Sequence, residues 1–115
     1  MTQMAALSGK NTNHSFVVGL GLNAPQNPHH RSSSCGSEPA ICNKNAISQG
    51  SRNAHKLYGA LVGGPDQFGR YVDRASDYIR NEVAIDFNAG LQSLAAGLKQ
   101  REMTIQAKRS RNSAP

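Results

Sequence analysis

Asn81-Glu82-Val83-Ala84-Ile85-Asp86-Phe87-Asn88-Ala89-Gly90-Leu91-Gln92-Ser93-Leu94-Ala95-Ala96-Gly97-Leu98-Lys99-Gln100 is the long stretch of this 115-residue sequence that holds a sustained period. Val83, Phe87, Leu91, Leu94 and Leu98 recur at spacings of 4, 4, 3 and 4, the repeat of one helix face, which predicts a helix over about residues 81–100. Ala84, Ala89, Gly90, Ala95, Ala96 and Gly97 keep much of its remaining surface small, so neighbouring helices can approach on more than one side. Such a helix is a rod about 30 Å long. Nothing else in the sequence is large enough to cover its apolar stripe, so it reads as part of a larger all-α assembly.

Towards the C-terminus, Lys99, Arg101, Lys108, Arg109 and Arg111 crowd the last seventeen residues, and residues 101–115 are predicted to be a basic, polar, disordered tail. Upstream, Pro65 bars Gly64 from the α region, so Gly63-Gly64-Pro65-Asp66 makes a tight turn, with room for a helical turn or two over residues 57–61 before it. A loop then runs to about Asp77. Residues 23–53 are rich in Asn, Ser, Pro and Gly and carry no period, which predicts a functional loop or a disordered segment. Ser15-Phe16-Val17-Val18 is a brief extended run that Gly19 and Gly21 cut off, and residues 8–13 read as a helix stop and loop.

Composition agrees with incompleteness. Leu, Ile, Val and Phe supply only 21 of 115 residues against a net charge of +6, there is no Trp, and mean hydropathy is -0.54, so a sizeable private core is excluded. The length suits one small domain. No apolar run is long enough to span a bilayer, and Met1-Thr2-Gln3-Met4-Ala5-Ala6-Leu7 lacks the basic start and apolar stretch of a signal peptide. The basic excess sits in the tail without interleaved aromatics, so neither nucleic acid nor a membrane is an expected partner. Four of the seven acids, Asp73, Asp77, Glu82 and Asp86, fall instead within fourteen residues, which is where chemistry is sought.

Taken on its own chemistry, Pro28-His29-His30-Arg31 is a hydrogen-bonding cluster suited to a polyol or an anion, or simply an exposed loop. Glu82 would open the predicted helix, where the helix dipole favours a carboxylate, and is equally an ordinary first-turn glutamate. Cys35 and Cys42 allow a local disulfide. A small metal- or nucleic-acid-binding module using His29, His30, Cys35 and Cys42 is the rival from another class. Its adjacent histidines are not spaced as in a zinc site, and no aromatic platform accompanies them.

Together, Ser15-Phe16-Val17-Val18-Gly19-Leu20-Gly21-Leu22-Asn23 with Pro28-His29-His30-Arg31, and Tyr71-Val72-Asp73 with Tyr78, Glu82-Val83-Ala84 and Asn88-Ala89, resemble the two active-site signatures of family 9 glycoside hydrolases, in the family's order. Tyr58-Gly59-Ala60-Leu61-Val62-Gly63-Gly64-Pro65-Asp66 resembles the segment between them. The resemblance covers roughly residues 4–99, and Pro28-His29-His30-Arg31-Ser32-Ser33-Ser34-Cys35 leans towards the animal members. It implies the C-terminal portion of an (α/α)6 barrel, an open cleft for a β-1,4-glucan, and internal cleavage of cellulose-type chains by single displacement with inversion, without metal or cofactor. By position Glu82 matches the general acid and Asp73 the other carboxylate of its signature. His29, counted with them as catalytic, and Arg31 match the residues that hold the sugar near the scissile bond. His30, Asp77 and Asp86 match nothing assigned.

The sequence also departs from the family pattern. No Asp-Ala-Gly-Asp type motif is present, so the general base is expected from the missing N-terminal part of the same domain, and residues 1–115 alone are expected to be inactive. Met1 falls near the end of what would be the penultimate barrel helix, which makes residues 1–100 the expected catalytic-domain portion and residues 101–115 a tail. A non-catalytic remnant of a cellulase gene is the rival within this class. Phe87 stands where tyrosine is usual, and Lys44 where animal relatives often have tryptophan. The resemblance implies secretion, although the sequence carries no export signal, and export would let Cys35 pair with Cys42.

Overall fold

The computed structural model describes residues 14–37, 42–48 and 52–112, which divide into two compact units, the boundary falling in the chain between Ala84 and Ile85. Residues 8–13, read as a helix stop, lie outside the described residues. The elements among the described residues are four helices: α1 Arg31–Ser34, α2 Asn45–Ser48, α3 Tyr78–Asn81 and α4 Ile85–Asn112. No strand occurs among the described residues.

The first unit is loop-built, and its core is made of small side chains. Val17, Val18, Val62, Ala75 and Cys35 are buried, with Pro25 and Pro28 fully enclosed. The extended run around Val17 forms an isolated antiparallel bridge to Leu61, flanked by Val18 N–H to the Ala60 carbonyl at 2.8 Å and Val62 N–H to the Phe16 carbonyl at 3.1 Å. This pairing replaces the helical turn expected over residues 57–61. Gly59 there has φ +82°, outside the right-handed helical region, and its N–H donates to the Val18 carbonyl at 3.0 Å instead of continuing a helix. Across the bridge Gly19, at φ +71°, lies under the Tyr58 ring, which comes within 2.3 Å of where a Cβ would stand.

The long segment over residues 23–53 contains two short helices, α1 and α2, which lie side by side. A disulfide joins Cys35 to Cys42, with Cα atoms 5.3 Å apart. Asn53 closes the segment: its side-chain NH2 donates to the Pro28 carbonyl at 2.8 Å and to Ser33 Oγ at 2.9 Å, and its backbone N–H donates to Asn27 Oδ1 at 3.0 Å.

The second unit is α4, and its limits correct both ends of the predicted helix. The sequence period includes Val83, but Glu82 has ψ 141° and ends α3 in extended backbone. The Glu82 carbonyl accepts from Gly63 N–H at 2.9 Å, so tertiary pairing takes a group that a helix would have used along its own axis. Glu82 therefore does not sit in the first turn of α4, where Asp86 is the acidic residue. At the other end the helix runs on through Asn112, so residues 101–112 are helical rather than a disordered tail. They contain no Gly or Pro and many strong helix formers. Lys99 pairs with Glu102 at 3.1 Å, and Arg109 and Arg111 place positive charge at the C-terminal end of the dipole. Twenty-eight residues span about 42 Å.

Candidate active site

The Pro28-His29-His30-Arg31 run and the segment from Tyr71 to Glu82 meet in the first unit. His29 N–H donates to the Asn81 carbonyl at 2.7 Å, and His29 and Glu82 form an isolated parallel bridge. Two residues far apart in sequence are thereby set side by side on backbone hydrogen bonds. The His29 ring places Nδ1 2.6 Å from the Ala75 carbonyl. A carbonyl only accepts, so Nδ1 carries the proton and Nε2 is left as the nitrogen available to a ligand. The ring also meets the edge of Tyr78, centroid to centroid 6.2 Å.

Glu82 presents an exposed side chain whose carboxylate has no hydrogen-bond or ion-pair partner among the described residues. Its backbone, by contrast, is held on both sides. Asn81 before it is fully buried: its Oδ1 accepts from the Tyr71 hydroxyl and its Nδ2 donates to the Val72 carbonyl at 2.8 Å. After the carbonyl bond to Gly63 comes Gly64, whose N–H donates to the Arg80 carbonyl at 2.9 Å. A Cβ on Gly63 would stand 2.5 Å from the Ile79 carbonyl oxygen, so this close approach requires glycine.

Asp73 is half-buried and turned towards the chain itself. Its two oxygens accept from the backbone N–H groups of Gln26 and Asn27, each at 2.9 Å, and from Asn27 Nδ2 at 3.1 Å. Those bonds fix the turn between Pro25 and Pro28, immediately before His29. Arg31 is exposed and donates from Nη2 to the Cys42 carbonyl at 3.1 Å, across the disulfide loop. His30 caps α1 through its backbone, and its buried Nδ1 has no hydrogen-bond partner among the described residues.

Behind α3 lies a charge network that the sequence reading left unassigned. Asp77 caps α3, accepting from Arg80 N–H at 3.2 Å and from Arg80 Nη1 at 2.9 Å, while Arg80 Nη2 reaches Asp66 at 3.3 Å. Asp66 also accepts from the backbone N–H groups of Arg70 and Phe68 and from Arg70 Nε at 2.8 Å. The Arg70 N–H is the chief cause that holds the Asp66 carboxyl down to about 2, with Arg70's side chain and charge adding to it against partial desolvation. For Asp77, burial pulls the carboxyl upward but is outweighed by the Arg80 side-chain and backbone hydrogen bonds, and the net shift is downward.

Among the described residues no group of three or more His, Cys, Asp or Glu side chains could hold a metal ion, and no helix is long and apolar enough to cross a membrane. Asn81, Gly63, Asn53 and Asp66 are the site-building residues that the sequence reading missed. Asp66 alone carries a local signal, the Gly-Pro-Asp turn; a buried amide such as Asn81 carries none.

Set against known proteins, residues 1–95 match the model of glycosyl hydrolase family 9, and the chain belongs to that family. It is 45% identical over 97 residues to an endoglucanase of Dictyostelium discoideum, covering 84% of this chain and 13% of that protein. To endoglucanase A of Bacillus pumilus it is 46% identical over 88 residues, 76% of this chain and 12% of that protein. Among solved structures, the termite endoglucanase of Nasutitermes takasagoensis superposes with a TM-score of 0.68 at 58% identity, over 73% of this chain and 19% of that one. The sequence thus spans less than a fifth of each of these relatives. The elements among the described residues are helices without strands, and the relatives are (α/α)6 barrels of which this chain covers a part.

Proposed function

We propose that this segment supplies the acid side of the active site of an inverting endo-β-1,4-glucanase acting on cellulose-type glucans. What carries the reading is the exposed Glu82 carboxylate on a backbone bridged to His29. Support for the substrate class comes from a relative: endoglucanase CelQ of Clostridium thermocellum, solved in complex with cellotriose, is 44% identical to this chain over 74% of its length, with a TM-score of 0.59.

In this reading Glu82 donates a proton to the glycosidic oxygen as the leaving sugar departs and the oxocarbenium-like transition state forms. His29, with Nδ1 anchored on Ala75, offers Nε2 to a sugar hydroxyl, and Arg31 donates to the same chain. Asp73 holds the turn that carries His29. The base that activates water comes from another part of the barrel, about 6.5 to 9.5 Å from the Glu82 carboxyl, which leaves room for the attacking water. Residues 1–115 alone then hydrolyse nothing, and the complete protein works outside the cell.

The test is Glu82→Gln in a completed enzyme, with this segment replacing its counterpart in the Nasutitermes endoglucanase. Gln keeps shape and loses the proton. We expect kcat on unactivated cellulose to fall by about 10² or more, the scale of general acid catalysis. Aryl cello-oligosaccharides, whose leaving group needs little protonation, should lose much less. Equal slowing of both substrates, or of neither, would remove Glu82 from the role of proton donor.

A further inference from the structure

Three candidate residues, His29, Asp73 and Glu82, lie on separate stretches of chain, and one fully buried residue, Asn81, connects all three through its side chain and backbone together. Asn81 Oδ1 accepts from the Tyr71 hydroxyl, and Asn81 Nδ2 donates to the Val72 carbonyl at 2.8 Å, so both ends of its amide are committed to the two residues before Asp73. Its own carbonyl accepts the His29 N–H at 2.7 Å, and its peptide bond leads directly into Glu82. A neutral amide fully withdrawn from water is tolerable only while both its donor and its acceptor are paired. The side chain therefore has one arrangement, and the backbone that bears Glu82 is fixed with it.

We infer that Asn81 is a positioning residue, whose buried amide sets the Glu82 carboxylate and the His29 ring in register with each other and with the Asp73 turn. The inference rests on the reading of Glu82 as the acid. Tyr71 is the other half of the device. Burial, aided by the charges of Asp73 and Asp77, pushes its phenol well above the usual range, so it remains a proton donor to Asn81 throughout the working pH range. Phe16 packs edge-on against its ring, centroids 5.1 Å apart. From the far side Gly63 donates to the Glu82 carbonyl, leaving only the Glu82 side chain free to turn.

Proton transfer is sensitive to placement, and misplacement of about 1 Å from a change remote from the chemistry can lower a rate about 10²-fold. In the completed enzyme, Asn81→Ala removes both amide bonds, while Tyr71→Phe removes only the hydroxyl and leaves Asn81 Oδ1 unpaired. We expect each to lower kcat on unactivated cellulose, by about 10- to 100-fold for Asn81→Ala and less for Tyr71→Phe. KM should hold within about threefold, since sugar binding elsewhere in the cleft is untouched. Aryl cello-oligosaccharides should lose less than cellulose, because they need the acid less. That leaving-group dependence is something a merely structural residue would not produce. If Asn81→Ala fails to accumulate as folded enzyme, Tyr71→Phe decides. Folded variants with parental kcat, or with equal losses on both substrates, overturn the inference. Glu82→Gln run in parallel separates the two readings: its own leaving-group dependence, persisting while the Asn81 and Tyr71 variants show none, leaves the acid in place and removes Asn81 from positioning. Without that dependence in Glu82→Gln, both fall.

Discussion

At the scale of single residues, the carboxylates part company according to what they touch. Glu82 is exposed with its oxygens uncommitted among the described residues, whereas Asp73 uses both oxygens on N–H groups of Gln26 and Asn27. The first arrangement suits a group that meets substrate, and the second suits one that acts through the His29 turn. Asp73→Asn tests the difference. An amide has one acceptor oxygen and places an NH2 where the second oxygen was, so at least one of the two backbone donors loses its partner. Leaving such a group unpaired destabilises by about 1 to 3 kcal/mol. We expect Tm of the completed enzyme and kcat/KM on cellulose to fall together, kcat/KM by roughly tenfold, a loss of about 1.4 kcal/mol. Unchanged Tm with a much larger loss of kcat would return Asp73 to direct chemistry. Both carboxylates are legible in sequence as candidates, because the signature that the chain resembles spaces them. What each carboxylate touches is not, since nothing in the string indicates that Asp73 meets residues 26 and 27, nearly fifty positions earlier. Asn81 is illegible for a related reason: the role inferred for it rests on burial, and a lone Asn beside Glu82 gives no sign of burial.

At the scale of elements, the long helix was legible from its period and its ends were not. Val83 falls on the helical repeat, yet Gly63 and His29 claim the backbone around Glu82, and long-range pairing of that kind leaves no local trace. Residues 101–112 looked like a tail because they are polar all round, but polarity decides burial and not helicity. The short helix α3 escaped notice because four residues cannot show a period; it is secured by its cap, Asp77, and by Arg80 bridging Asp77 and Asp66. This anchor carries a pH dependence of defined sign. The Asp66 carboxyl is held to about 2, below its ordinary 3.8, and Asp77 is shifted the same way. Groups depressed in the folded state contribute stability that is fully present above their unfolded pKa and is lost as pH falls through the folded value. The window for Asp66 is therefore from about 4 down to about 2. Acid titration of the completed enzyme, followed by Tm, should show a loss in that window that is smaller in Asp66→Asn, which is already weakened at neutral pH. An unaltered acid limb in that variant would mean that the Asp66 hydrogen bonds, chiefly those to Arg70, contribute nothing to stability in acid.

At the scale of the whole molecule, the distribution of apolar surface argues that residues 1–115 do not make a self-sufficient fold. The buried apolar side chains of the first unit are valines, an alanine, prolines and a cysteine, while larger apolar side chains are turned outward: Leu22, Tyr58, Phe68 and Ile79 are each about 70% exposed. In α4, Ile85 is 88% exposed and Met103 53%. Burying a large side chain is worth about 1.5 to 3 kcal/mol, and ordering each residue opposes folding by about 1 to 2 kcal/mol in backbone entropy, so a chain that leaves many of its large apolar side chains in water forgoes much of the main favourable term. Helices of the length of α4 can persist in isolation only where propensity supports them, and otherwise depend on packing of an apolar face. The disulfide between Cys35 and Cys42 constrains a short loop and cannot replace that packing. We therefore expect the purified 115-residue chain to show helical circular dichroism that melts gradually, with no cooperative transition, and rapid amide exchange across the Asn81 region. The same segment inside the completed enzyme should melt with the whole barrel and protect the Asn81 and His29 amides. A sharp calorimetric transition for the isolated chain, with calorimetric and van't Hoff enthalpies in agreement, would show that its small-residue core suffices.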